Sequence, residues 1–334
     1  GTVYEKTKRI EKLALHVAQL LKENEGRIKN IKRAARLCKS DLVTNMVSEF
    51  PELQGVMGRE YALRFNENHT VAEAIYEHYL PRFAGDGLPS TQEGRILSIS
   101  DKIDSIVGCF SAGIKPTGSQ DPYALRRQAL GICLIILDSG IHLPLNALIE
   151  EAYKGYGDKV KKPLREISSE IGLFFKQRLK GIFSEKNFSY DLIDAILATD
   201  TNDMTSAMQR LLALSDFKEN EAFESVLTAF HRAYNLSRDV GLSPVDPSLF
   251  ADPSEKVLHR EFLDIKREFV EALDEEDYQA ALVQFTRFRK PIDDFFDSVM
   301  VMDKDINIRG NRLSLLKNIS VMISKIADMS KIVD

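Results

Sequence analysis

The sequence predicts an all-α protein, and two observations lead to that class. Apolar residues recur at spacings of three and four along most of the 334-residue chain, which is the period of an amphipathic helix. Two examples are the stripe Ile10, Leu13, Val17, Leu20 and Leu21 and the stripe Leu316, Ile319, Ile323 and Ile326. No Asn-Gly or Asp-Gly pair lies between two alternating apolar runs, so no β-hairpin is predicted.

Loops rich in Gly and Pro punctuate the predicted helices. They are PRFAGDGLP (81–89), GIKPTGSQ (113–120) and GLSPVDP (241–247). After the second loop, Asp121 is predicted to be a helix N-cap and Pro122 the first helical residue. A chain of this length is expected to form two or three domains. We predict a helical domain over 1–152, a helical linker over 153–215 and a bundle over 216–334, with bundle helices near 217–236, 253–273, 277–302 and 307–330.

The composition excludes several classes of protein. Hydrophobic residues make up 44% and charged residues 28% of the chain, as in ordinary globular proteins. No apolar run approaches the roughly 20 residues that span a bilayer, and no signal peptide is visible, so we expect a cytoplasmic protein without membrane contact. The three cysteines (Cys38, Cys109 and Cys133) form no C-x-x-C pair, which disfavours a zinc knuckle or a redox dithiol. The start at Gly1, without Met, is interpreted as that of an excised fragment.

Charge is distributed unevenly along the chain, whose net charge is −5. Residues 217–334 contain 16 Lys and Arg against 22 Asp and Glu, and residues 1–216 contain 29 against 28. The most basic segment is 154–187, whose cations could follow an RNA backbone or form a solvated helix face. Its candidates are Lys159, Lys161, Lys162, Arg165, Lys176, Arg178 and Lys180. Any binding of RNA must therefore depend on local patches.

Several strings resemble the bacterial glycyl-tRNA synthetase β subunit. They are SDLVTNMVSEFPELQGVMGREYA (40–62), AIYEHYLPRFAGDGLPST (74–91), SDKIDSIVGCF (100–110), PTGSQDPYALRRQALGI (116–132), FHRAYNLSRD (230–239) and VMVMDKDINIRGNRLSLLKNISVMISKIADMSKI (299–332). The resemblance implies an HD-like helical domain over 1–152 and, over 216–334, an anticodon-binding domain similar to that of arginyl-tRNA synthetases.

The resemblance also implies a division of labour. The β subunit would bind tRNA-Gly and position it, while a separate α subunit would use ATP and Mg to activate glycine, in a heterotetramer of two α and two β subunits. This fragment is then expected to be non-catalytic and to need no cofactor of its own.

HD-type domains hold metal ions with a His, an adjacent His-Asp pair and a later Asp, and the ions activate water. Here Lys39-Ser40-Asp41 stands where the pair is expected, so a His ligand is lost. We expect no metal, although His16, Asp41, His78 and Asp101 are the candidate ligands if one binds. The alternative interpretation is that Asp41 caps a helix, Asp101 forms a salt bridge, and His78 is a packed side chain.

Arg126 and Arg127 follow a Gly-rich loop at the start of a predicted helix. Together with the free N–H groups of the first turn, they could hold a phosphate or a carboxylate of a partner. Equally, one arginine could pair with Asp101 or Asp104.

Candidates for contact with the anticodon loop are arginines and asparagines of the last domain, because these side chains address unstacked bases well. Arg232, Asn235 and Arg238 share a predicted helix face, and Arg309, Asn311 and Arg312 begin the last long helix, where the helix dipole also favours phosphate. Arg287 and Arg289 are second-rank candidates. The competing interpretation is that Arg232 and Arg312 form salt bridges inside the domain.

Two other functions stay open. One is a metal-dependent phosphohydrolase of the HD family with an unusual ligand set, which the missing His-Asp pair disfavours. The other is a helical scaffold that binds only protein, which the acidic last domain would allow.

Overall fold

The computed structural model describes residues Gly1–Val333, and within them sixteen α-helices form and no β-strand does. The predicted all-α class is confirmed. No helix in this range is long and apolar enough to cross a membrane. The helices are α1 Val3–Leu20, α2 Glu25–Leu37, α3 Asn45–Glu49, α4 Val56–Arg64, α5 His69–Glu77, α6 Gln92–Ser111, α7 Leu125–Ser139, α8 Leu145–Lys154, α9 Leu164–Glu185, α10 Tyr190–Leu197, α11 Met204–Lys218, α12 Phe223–Ser237, α13 Pro253–Asp274, α14 Tyr278–Gln284, α15 Arg289–Ser298 and α16 Ile306–Ile323.

The chain forms two compact units. The first comprises residues 1–181 and 202–205, and the second comprises 182–201 and 206–334. All three changes from one unit to the other, after residues 181, 201 and 205, fall inside the segment 153–215, for which the sequence predicts a linker. The three-part division with its borders at 152 and 215 stays a prediction.

Helices α1 and α6 form the centre of the first unit. Helix α1 packs on α2, α6 and α8, and α6 packs on α5, α7 and α8 as well. Because α6 is covered by neighbours on several sides, its residues Ile96, Ile99, Ile103 and Val107 are all fully buried. Each such side chain stabilises the fold by about 1.5–3 kcal/mol relative to an exposed one. This helix carries Asp101 and Lys102 into the same buried environment.

In the second unit, α12 and α16 pack antiparallel. The ring of His231 lies 3.1 Å from the carbonyl oxygen of Met329, whereas Lys317 donates to the carbonyl oxygen of Arg238 at 3.2 Å, so the chain order reverses between them. Helices α13–α15 and the 3₁₀ segment Phe285–Phe288 complete this core, which includes aromatic side chains that are almost completely buried. These are Phe230, Phe269, Phe285, Phe288 and Phe295.

Three predicted helix bounds in these regions are wrong. The single helix expected over 277–302 is divided into α14, a 3₁₀ segment over Phe285–Phe288 and α15. The division lies just before Pro291, because proline lacks an amide hydrogen and its ring crowds the carbonyl group four residues earlier. The helix expected over 217–236 is divided by a turn, so α11 ends at Lys218 and α12 begins at Phe223. The helix after the second loop begins at Leu125 and not at Pro122.

Candidate functional site

Lys39, His78 and Asp101 meet in the first unit. The Nζ atom of Lys39 lies 2.7 Å from Nε2 of His78, 2.7 Å from Oδ2 of Asp101 and 4.1 Å from the centre of the Tyr79 ring. The other ring nitrogen of His78 lies 2.6 Å from the carbonyl oxygen of Ile75, so Nδ1 donates there and Nε2 accepts from Lys39. A lysine therefore joins the histidine to the carboxylate.

The electrostatics of this cluster follow from burial and from cations. Burial, reinforced by the charge of Lys39, holds the pKa of His78 well below its usual range, so this histidine is neutral. Burial by itself would raise the pKa of Asp101, but Lys39 and Lys6 outweigh it and hold that pKa well below its usual range. Lys6 lies 2.8 Å from Oδ1 of Asp101, so one carboxylate serves two lysines.

The candidate metal ligands do not converge. His16, on α1, has Glu150 of α8 as its charged neighbour, and Asp41 accepts from the backbone N–H of Gly55 at 2.6 Å. Only His78 and Asp101 come together, 3.8 Å apart, with the lysine bonded to both. Among the residues from 1 to 333, no three His, Cys, Asp or Glu side chains form a group that could hold a metal. This donor set does not fit a divalent cation, because an amine that donates hydrogen bonds occupies the place between the two ligands.

Arg126 and Arg127 begin α7, but the first turn of that helix is already capped. The carboxylate of Asp121 accepts from the N–H groups of Leu125 and Arg126 at 2.8 and 2.9 Å. The expectation that free N–H groups of this turn receive a phosphate is therefore wrong. The expected pairing with Asp101 or Asp104 is also wrong, since Lys39, Lys6 and Arg9 bind those carboxylates.

The residues that sequence reasoning missed here are lysines. Lys39 and Lys102 are exposed by only 9% and 6%, although lysine is almost never buried without a partner. For Lys102 a signal existed, because it sits between Ile99 and Ile103 on a helix whose neighbouring positions are apolar. The period of α6 alone could not show that its faces are all covered.

In the second unit, Asn311 and Arg312 hold the bundle together. The side-chain amide of Asn311 both donates to and accepts from the backbone of Asp246, at 2.9 and 2.7 Å. Arg312 donates to Glu255 at 2.7 Å and to Asp303 at 2.9 Å, and its side chain is 5% exposed. The expectation that these two side chains form an exposed RNA-binding surface is wrong, since both are buried and bonded within the unit.

Two further candidates have acidic partners. Arg287 lies 3.2 Å from Glu261 and 3.0 Å from Glu268 of α13. Arg232 lies 3.0 Å from Asp293 and stacks 4.3 Å from the centre of the Phe296 ring, but 41% of its side chain stays exposed. The intradomain salt bridge that was the competing interpretation therefore forms for Arg232 as well as Arg312.

The remaining candidates are accessible. The side chain of Arg238 is 60% exposed, and its ion pair is with the still more exposed Asp239, at 3.4 Å. Asn235 and Arg289 are exposed and Arg309 is half-buried, and within Gly1–Val333 none of these three side chains has a hydrogen bond or ion pair. The N–H groups at the start of α16 are not free for phosphate, because the carboxylate of Asp305 accepts from two of them.

Part of the basic segment 154–187 is neutralised in the same way. Lys159 lies 2.9 Å from Glu5, and Lys162 lies 3.1 Å from Glu166, both at the surface. For these lysines a solvated, ion-paired helix face is the arrangement that the structure contains.

Comparisons with known proteins agree with both units. The family model described as glycyl-tRNA synthetase beta subunit matches residues 1–198, and the DALR anticodon binding domain matches residues 226–332. The chain is 48% identical over its whole length to the glycine–tRNA ligase beta subunit of Desulforamulus reducens and 45% identical to that of Clostridioides difficile. In each case it spans 48% of the relative, about half. Since the first model covers more than half of the residues, the chain belongs to the glycyl-tRNA synthetase β-subunit family and includes a DALR anticodon-binding domain.

Proposed function

We propose that this chain is the tRNA-binding part of a glycine–tRNA ligase β subunit, and that its second unit grips the anticodon region of tRNA-Gly. The observation that carries the proposal is the match of an anticodon-binding domain to residues 226–332, which form the helical bundle α12–α16.

The accessible side chains of that bundle are the ones we assign to RNA. Arg238, Arg289 and Arg309 offer guanidinium groups that can bind phosphates or base edges, and Asn235 can both donate to and accept from a base. Arg232 is an additional candidate, because its stacked guanidinium keeps exposed N–H groups. Asn311 and Arg312 act indirectly in this proposal, by fixing the start of α16 from which Arg309 projects.

The catalytic partner in this proposal is the α subunit. Glycine activation, with its ATP and Mg, takes place there, and the β subunit holds the tRNA in a heterotetramer of two α and two β subunits during protein biosynthesis in the cytoplasm. The unusual surplus of carboxylates in residues 217–334 makes local placement of the arginines important, because the bulk charge of this region repels RNA.

A metal-dependent phosphohydrolase is the less favoured candidate. Its chemistry needs ligands that converge on an ion and activate water. In the first unit the amine of Lys39 lies between His78 and Asp101, and His16 belongs to another part of that unit.

Binding of the isolated anticodon stem-loop of tRNA-Gly tests the proposal. We expect Arg238→Ala and Arg309→Ala each to weaken binding about 3- to 10-fold, since a hydrogen bond to a charged group is worth about 1.5–3 kcal/mol at most sites and less at exposed ones. Each substitution that removes a phosphate contact should also reduce the slope of log K against log salt by about 0.7–0.9. Fluorescence anisotropy at several salt concentrations measures both quantities.

Arg267→Ala is the matched control. Arg267 is an exposed arginine of α13 whose nearest carboxylate is 4.0 Å away, so its removal changes net charge by the same amount. Equal affinities in all three variants and the wild type would contradict the assignment of the RNA-binding side chains.

A further inference from the structure

A cavity of about 630 Å³ opens beside the Lys39 cluster in the first unit. Its walls come from α1, α6, α7, the chain around residues 78–83, and the side chains at positions 39, 52 and 54. Cavities that hold small ligands typically have volumes of about 300–1,000 Å³. The opening is therefore large enough for a small charged molecule.

The lining of this cavity is strongly cationic. Five cations face two carboxylates: they are Lys6, Lys39, Arg82, Lys102 and Arg127, against Glu52 and Asp101. Asp101 is shared by Lys6 and Lys39, and Arg82 is neutralised by Asp86, whose Oδ2 lies 2.9 Å from its Nε. Neither Lys102 nor Arg127 forms an ion pair with a residue from 1 to 333, although the charge of Asp101 favours the protonated form of Lys102.

Lys102 has only neutral partners. Its amine donates to the carbonyl oxygens of His78 and Leu80 at 3.1 and 2.8 Å and to Oγ of Ser98 at 2.6 Å. Helix α7 approaches this amine closely because position 131 is a glycine, on which a Cβ would lie 3.2 Å from Cε of Lys102. A buried ammonium without a carboxylate is costly, so a bound anion would stabilise it.

Arg127 lines the same cavity. It is exposed, and its guanidinium makes no ion pair with any residue from 1 to 333. Its positive charge reaches Lys102 and disfavours the protonated amine there. An accessible guanidinium and a buried amine that line one cavity suit a tetrahedral oxyanion.

We propose that this cavity binds a phosphate group, to which the unpaired Arg127 donates hydrogen bonds while Lys102, whose three N–H groups already have acceptors, contributes its charge. Once Lys102 is protonated, the two cations match the charge of a phosphate dianion, whereas a carboxylate would offset only one of them. The proposal concerns the first unit alone, so it does not depend on the anticodon assignment and can fail separately from it.

Calorimetric titration of the 334-residue chain with inorganic phosphate tests this site. We expect saturable binding by the wild type and binding about tenfold weaker in Arg127→Ala, which loses one charged partner of the anion. Arg64→Ala is the matched control, because Arg64 is an exposed cation of the same unit that does not line the cavity. The affinity of this variant for phosphate should equal that of the wild type.

The number of protons that the protein takes up when phosphate binds is a second measurement. A lysine with a purely structural role would take up no proton. At pH 8 inorganic phosphate is largely a dianion, and binding it should draw a proton onto Lys102, which titrations in buffers of different ionisation enthalpy detect. Lys102→Met should bind phosphate weakly and without this uptake. Absence of saturable binding by the wild type, or equal affinities in Arg127→Ala and Arg64→Ala, would overturn the proposal.

Competition experiments identify the source of the phosphate group. Adenosine 5′-monophosphate carries a phosphomonoester, and an RNA trinucleotide without terminal phosphates carries only internal diesters. Displacement of inorganic phosphate by the nucleotide alone supports a small free phosphomonoester as ligand. Displacement of inorganic phosphate by the trinucleotide supports binding of an RNA backbone phosphate at the same site.

Discussion

Arg312 lies among acceptors from separate parts of the second unit. Its Nε donates to Oε1 of Glu255 near the start of α13, and Nη1 donates both to Asp303 and to the carbonyl oxygen of Met300. The second oxygen of Glu255 accepts from the N–H groups of Ala251 and Asp252, so the same carboxylate also caps α13. One arginine thereby ties the start of α16 to the start of α13.

We expect Arg312→Ala to destabilise the second unit by about 3–5 kcal/mol, because it leaves the carboxylate of Glu255, only 1% exposed, without its cation. Hydrogen exchange of peptides from α13 and α16 measures the free energy of opening. Arg309→Ala removes an unpaired arginine of the same helix and should change the free energy of opening by less than about 0.5 kcal/mol. An unchanged opening energy in Arg312→Ala, with weakened RNA binding, would instead make Arg312 an RNA contact.

Lys102 makes the stability of the first unit depend on pH. Burial lowers its pKa from 10.5 to about 7, and the charges of Lys39, Lys6 and Arg127 act in the same direction, against Asp101. Between those two pKa values the unfolded chain binds the proton and the folded chain does not. The free energy of unfolding therefore rises with pH across this window, and the penalty of the buried charge is fully present below pH 7.

The prediction is that wild-type stability, relative to Lys102→Met, increases from pH 7 to pH 10 by up to about 1.4 kcal/mol per pH unit. Urea denaturation at several pH values measures the difference. Lys12→Met, at an exposed position on α1, should show no such trend. If the difference in free energy of unfolding between the wild type and Lys102→Met is constant with pH, the amine of Lys102 stays protonated in the folded protein.

At the scale of elements, two helices that begin beside candidate arginines are capped by aspartates of the chain. Asp121 accepts from the first N–H groups of α7, and Asp305 accepts from those of α16. A carboxylate at this position satisfies donors that otherwise have no partner and complements the positive end of the helix dipole. These helix starts therefore position Arg127 and Arg309 but offer no free amides to an anion.

Asp121→Ala should destabilise the first unit by about 1 kcal/mol, the usual cost of losing such a cap. It should also weaken the proposed phosphate site, because the first turn of α7 carries Arg127. Urea denaturation and phosphate titration measure the two effects. Asp138→Ala, at an exposed position near the other end of α7, is the control and should change stability by less than about 0.5 kcal/mol. Equal stabilities of the two variants would refute the capping role.

At the scale of the whole molecule, the chain belongs to a ligase family but represents about half of a relative's length. Its sequence contains no Gly-rich strand-to-helix motif that would cradle a nucleotide. We predict that the 334-residue chain alone shows no glycine-dependent exchange between ATP and pyrophosphate. The same assay on the assembled ligase is the positive control, and exchange by this chain alone would contradict the proposed division of labour.

The helical period determined much of what the structure contains. It predicted the all-α class, the loops between helices, and the buried stripes of the first and last long helices, except that Leu20 is exposed and Leu21 half-buried. Each of these features depends on neighbours within a few residues. It failed over 277–302, where the effect of Pro291 on the preceding turn was not taken into account. The strings that resemble the β subunit were sufficient for the family.

Which candidate side chains are accessible was decided only by the tertiary structure. The partner of Arg312 is Glu255, 57 residues away in the chain, and Lys39 reaches Asp101 across 62 residues. A helical period shows which residues share a face, but it carries no information about which face meets a distant carboxylate. Burial of charge depends on that meeting, because an arginine or lysine leaves water only where another element supplies acceptors.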